Sequence, residues 1–108
     1  MAMKLTSKQR AYLRSLAQTI EPTFRVGKEG VTPALTAAIE ETFHTHELVK
    51  ISVLKTVDDD LRSIGETIAG RTRATLVEVI GRRIVFYKQD PDDPKIILPK
   101  AEKPKTDS

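Results

Sequence analysis

At 108 residues the chain is one domain's worth of protein, and with no cysteine it can hold no disulfide, thiolate metal site or cysteine nucleophile. Its 39% apolar and 31% charged content suits a folded chain, and no run approaches the roughly 18 apolar residues that a membrane span needs. The net charge of +3 is unevenly placed: residues 1–89 hold 14 Lys and Arg against 10 Asp and Glu, whereas residues 90–108 hold 4 against 5, so the folding part carries the basic character that attracts polyanions.

In chain order, the start has no apolar stretch of the signal-peptide kind. Thr6 and Gln9 have the spacing of a capping box, and Leu13, Leu16, Ala17 and Ile20 repeat at helical spacing behind them. Pro22 ends that helix, and Phe24-Arg25-Val26 alternates as a short strand does. Thr32-Pro33, a cap followed by proline at the first helical position, opens a second helix, with Leu35, Ala38, Ile39, Thr42, Phe43 and His46 along one face. Residues 48–54 alternate as a strand, Asp58-Asp59-Asp60 suit a helix N-terminus, and Leu61, Ile64 and Ile68 give the third helix its buried stripe. Residues 75–80 and 83–88 read as two strands, and Gly81-Arg82 between them suits a II′ hairpin turn. Residues 90–94 form a turn-rich linker, Ile96-Ile97-Leu98 can add an edge strand or dock on the surface, and residues 100–108 have the composition of a disordered tail. The expected fold is therefore an α/β, two-layer α-β-α-β-α-β-β domain over residues 1–99 with a four-stranded mixed sheet.

Gly27-Lys28-Glu29-Gly30 lies between a strand and a capped helix, a place with a physical use. Glycines let the backbone take positive φ and lie close to a ligand. The helix from Thr32 turns its unsatisfied N–H groups and positive dipole end toward the loop, where a phosphate can dock. KH domains clamp single-stranded backbone on such a GxxG loop. Lys28 adds a cation at the tip, Arg25 stands just before the loop, and Glu29 opposes phosphate. Arg10 and Arg14 on the first helix, Lys50 on the second strand, and Arg82 and Arg83 at the hairpin can extend a phosphate-tracking surface or form an ordinary solvated face.

Aromatics are few. Phe24 and Phe43 occupy core-like positions; Phe86 and Tyr87 point to opposite faces of one strand, so one is expected in the core and the other is free to stack on a base. His44 and His46 do not share a helix face, the three aspartates lack the spacing of a calcium loop, and no catalytic triad, P-loop or dinucleotide fingerprint occurs. His46 is expected to pack near the helix end. No metal, cofactor, catalytic residue or small-molecule substrate is expected.

The chain resembles the CRM domain family (chloroplast RNA splicing and ribosome maturation), in particular its small stand-alone bacterial, YhbY-like members. The likeness is carried by Leu5-Thr6-Ser7-Lys8-Gln9-Arg10 with Leu13, by Val26-Gly27-Lys28-Glu29-Gly30-Val31-Thr32, by His46-Glu47-Leu48-Val49-Lys50-Ile51, and by Val79-Ile80-Gly81-Arg82-Arg83-Ile84-Val85-Phe86-Tyr87. It implies a fold similar to the C-terminal domain of translation initiation factor 3, with a KH-like loop at Gly27, Lys28 and Gly30 that meets RNA. It implies non-catalytic binding of ribosomal RNA in precursors of the large ribosomal subunit. Independently of the likeness, the lack of cysteine and of a long apolar run suits a cytoplasmic protein, and a monomer is expected. The alternatives are a basic adaptor for an acidic protein and a binder of duplex nucleic acid.

Overall fold

Three helices and four strands follow the expected order, and the computed structural model describes residues 4–99; the tail expected over residues 100–108 lies outside the described residues. Helix α1 (Ser7–Ala17) opens on the capping box, with the Gln9 amide donating to Thr6 Oγ1 and the Thr6 amide donating to Gln9 Oε1, each at 3.1 Å. Strand β1 (Phe24–Val26) leads through the glycine loop into helix α2 (Pro33–Thr42), then strand β2 (Leu48–Val53). Helix α3 (Leu61–Thr72) is capped by the Asp60 carboxylate, which accepts from the Ser63 amide at 3.0 Å. Strands β3 (Thr75–Ile80) and β4 (Arg83–Tyr87) form the hairpin. Gly81 takes φ +59 while Arg82 does not turn positive, the pattern of a II′ turn.

The sheet order is β1-β2-β4-β3; β1 and β2 are parallel, and the other two pairings are antiparallel. The α/β class and the four-stranded mixed sheet are as expected, but the layering differs. Helices α2 and α3 pack on the face carrying Val49, Ile51, Val53, Ile84 and Phe86. Helix α1 packs on the other face, where Leu13 and Ala17 meet Leu48, Val77, Val85 and Tyr87. The domain thus has three layers instead of two. The same covering corrects the expectation for the aromatic pair: Phe86 and Tyr87 point to opposite faces and both are buried, so neither can stack on a base. His46 also departs from expectation. Helix α2 stops at Thr42, so the helical stripe does not reach it, and its exposed ring meets Thr45 Oγ1 at 2.9 Å.

Two polar devices fasten the α1 side. Strand β3 carries a bulge between Leu76 and Glu78, and the Arg10 guanidinium donates to the carbonyls of Leu76 (3.0 Å) and Val77 (2.6 Å) there. Those carbonyls lie on an edge strand, and engaging them blunts the edge. At the same end of the sheet, just before β2, Glu47 is only 4% exposed yet accepts three backbone N–H groups, from Asp90 (2.7 Å), Lys95 (2.9 Å) and Ile96 (2.6 Å). That carboxylate straps the C-terminal segment to the domain. Ile96 and Leu98 then dock on the α1-side core, and no strand forms there.

Candidate nucleic-acid interface

Because β1 and β2 run together and β4 runs against them, three connections emerge at one end of the sheet: the loop after Val26, the segment after Val53 and the hairpin turn. The loop is a tight turn closed by the Gly30 amide donating to the Gly27 carbonyl at 2.9 Å, with Gly30 at φ +71. A residue with a Cβ is disfavoured at that angle, although space around Gly30 is open. Lys28 and Glu29 stand exposed at the tip, and neither side chain has an ion pair among the described residues.

Helix α2 begins directly behind this turn. Pro33 has no N–H, and the Leu35 amide is taken by Thr32 Oγ1 at 3.1 Å. Thr32 therefore builds the site by capping the helix. A depression of about 360 Å³ lies here, lined by the loop with Arg25, Thr32 and Leu35. The ingredients are those of an anion site: a dipole end, a mobile ammonium and backbone free of side chains.

The other basic candidates separate into two groups by what their side chains touch. Arg10 serves the bulge of β3, and Arg14 pairs with Glu78 at 3.6 Å beside it. Both stand over the β3 edge, whereas the loop adjoins β1 at the other edge. Lys50 Nζ donates to the Ala17 carbonyl at 3.0 Å, closing the C-terminus of α1. Arg82 donates to the carbonyls of Val53 (3.1 Å), Leu54 (2.7 Å) and Val57 (2.8 Å), stapling the hairpin turn to the segment after β2. These four are occupied within the fold, which corrects the expectation of one continuous basic surface. Arg25 and Arg83 are exposed, and their side chains have no hydrogen bond or ion pair among the described residues.

Residues 5–88 match the CRS1 / YhbY (CRM) domain. The chain belongs to this family. Among its relatives is "Probable RNA-binding protein YqeI" of Bacillus subtilis, 39% identical over 95 residues that cover 88% of this chain and 99% of that protein. The "RNA-binding protein" of Haemophilus influenzae is 32% identical over 96 residues, covering 89% and 96%. The solution structure of the hypothetical protein SAV1595 from Staphylococcus aureus superposes with a TM-score of 0.77 at 42% identity, covering 89% of this chain and 100% of that one.

This CRM domain also places residues at the loop end that pattern reading passes over. Leu54 is 39% exposed and lies under the loop; a Cβ on Gly27 would sit 3.3 Å from its Cδ1. The Leu54 amide donates to the Val26 carbonyl at 2.9 Å, so the segment after β2 props the loop. As the last residue of an alternating run, Leu54 looks like an ordinary strand position. Among the described residues no group of three or more His, Asp or Glu side chains converges as a metal site, and no helix is long and apolar enough to cross a membrane.

Proposed function

We propose that this CRM-family chain is a non-catalytic RNA-binding protein of the cytoplasm that holds sugar-phosphate backbone on the Gly27–Gly30 loop. One observation carries the reading: a turn with Gly30 at φ +71 presents the unpaired Lys28 immediately before the capped N-terminus of α2. Backbone phosphates meet there a dipole end and an ammonium at once. The names of the relatives, RNA-binding proteins in two bacteria, support the same ligand. The finer assignment, to ribosomal RNA in precursors of the large subunit during assembly, rests on the likeness to stand-alone bacterial CRM proteins.

The test is an affinity titration with single-stranded RNA at several salt concentrations. Log affinity should fall with log salt at about −0.7 per phosphate contact. Lys28→Glu should weaken binding about tenfold or more with an unchanged melting temperature, since its ammonium makes no hydrogen bond or ion pair among the described residues. A flat salt dependence, or Lys28→Glu binding as tightly as the parent, overturns the loop reading. For the finer assignment, the tagged protein should co-sediment with large-subunit precursors, and ribonuclease should release it. Retention on a protein after digestion would favour an adaptor role instead.

A further inference from the structure

A row of side chains crosses the sheet beside the loop. Register pairs Arg25 of β1 with Ser52 of β2, and Ser52 with Arg83 of β4, so the three residues stand abreast on the α1 side of the sheet. Helix α1 does not reach them. Its last turn ends over the preceding row, where Lys50 pairs with Val85 and its ammonium holds the Ala17 carbonyl. The face one row further on is left open as a depression of about 460 Å³, bounded on one side by Glu21 and Thr23 and floored by the Arg25–Ser52–Arg83 row.

We propose that this open strip is a second backbone-phosphate subsite, which receives the RNA strand as it leaves the glycine loop. The proposal rests on the loop reading above and extends it. Three observations carry it. First, Arg25 lines both depressions, so the two adjoin at its side chain. Second, Arg25 and Arg83 have free side chains where Arg10, Arg14, Lys50 and Arg82 are engaged by protein acceptors. Of the six basic candidates outside the loop (Arg10, Arg14, Arg25, Lys50, Arg82 and Arg83), only these two keep their charge free for a ligand among the described residues, and both stand beside the loop. Third, the chemistry suits phosphate: a guanidinium presents forked donors that match phosphate oxygens, and the Ser52 hydroxyl between the two adds another donor.

Arg25 and Arg83 are separated by two strand spacings, about 10 Å. That spread favours neighbouring phosphates over one shared phosphate. The aromatic that lines the depression, Phe24, is partly buried and packs against the α2–α3 side of the sheet, so the strip follows backbone and carries little base preference of its own. Glu21 closes one side of the depression and directs the strand toward the Arg83 side.

The experiment compares labelled oligouridylates of 4 and 12 nucleotides by fluorescence anisotropy. The short probe occupies the loop alone; the long one reaches both sites. Arg83→Glu should weaken the long probe about tenfold and leave the short one within twofold. Arg83→Gln, the milder change, should reduce the long probe's log–log salt slope by about 0.7, one phosphate contact. Lys28→Glu should weaken both probes. Circular dichroism melts of each variant establish that it is folded, and the Gln variant supplies the reading if the charge reversal is not. If Arg83→Glu and Arg83→Gln bind the long probe as the parent does while Lys28→Glu weakens both lengths, the subsite is wrong and the loop reading stands. Equal losses on both probes from Arg83→Glu overturn the subsite too, because they mark a general field effect. A short probe indifferent to Lys28→Glu instead removes the loop reading.

Discussion

Tyr87 is 1% exposed, and its hydroxyl meets no donor or acceptor among the described residues. Burial, and then the nearby Glu47 carboxylate, push the phenol above its usual value near 10. The folded chain thus favours the neutral phenol, while the unfolded chain ionises at the usual value. Stability from this group is complete below about pH 10 and is lost as pH rises through the folded value. Tyr87→Phe should remove that alkaline loss. It should also stabilise the protein by about 1 kcal/mol at neutral pH, because an unpartnered buried hydroxyl is costly. Urea denaturation at pH 7 and above pH 10 measures both effects; a less stable Phe variant would mean that the hydroxyl is satisfied. In the sequence, Tyr87 is one of four consecutive apolar or aromatic residues, Ile84-Val85-Phe86-Tyr87. Such a run marks a strand covered on both faces. It is the clue to the third layer, and reading the strand by alternation alone hides it.

Among the elements, the C-terminal strap depends on two carboxylates. Glu47 takes three backbone amides, and Asp90 Oδ1 accepts from Asp92 (2.9 Å) and Asp93 (3.2 Å), which hold the Asp90 carboxyl below its usual value. The part of the strap's stability that comes from Asp90 is present above the usual carboxylate value and is lost as pH falls through the lowered one. Glu47→Ala should destabilise the domain by about 2–3 kcal/mol, because charge-assisted bonds to buried amides are lost together. Faster hydrogen exchange at Lys95 and Ile96 would locate the loss; unchanged exchange would show that the strap holds by Ile96 and Leu98 alone. Helices and strands were readable from their periods and caps, as at Thr6, Thr32 and Asp60. Docking of the strap was not. A lone Glu47 next to an apolar run carries no mark of the distant amides it will accept.

Across the whole molecule, the same limit explains the basic residues. Arg10, Lys50 and Arg82 are claimed by backbone carbonyls, acceptors that every residue supplies and that therefore leave no sequence signature. The loop, in contrast, was legible because its glycines, its cap and its proline are residue types with special backbone roles. This partition predicts that Arg10→Gln lowers stability by about 1–2 kcal/mol, through the bulge it leaves open, while RNA affinity stays within about twofold at fixed salt. An affinity loss as large as that of Lys28→Glu would place α1 on the RNA path instead. The staple made by Arg82 has a further consequence. It joins the hairpin turn to residues 53–57, and Leu54 in turn is bonded to Val26 beneath the glycine loop. The rim that would receive an RNA strand is therefore cross-tied before any ligand arrives. Most of its ordering entropy is spent during folding, so association draws little on it, and the flexible partner bears nearly all the ordering cost of the complex.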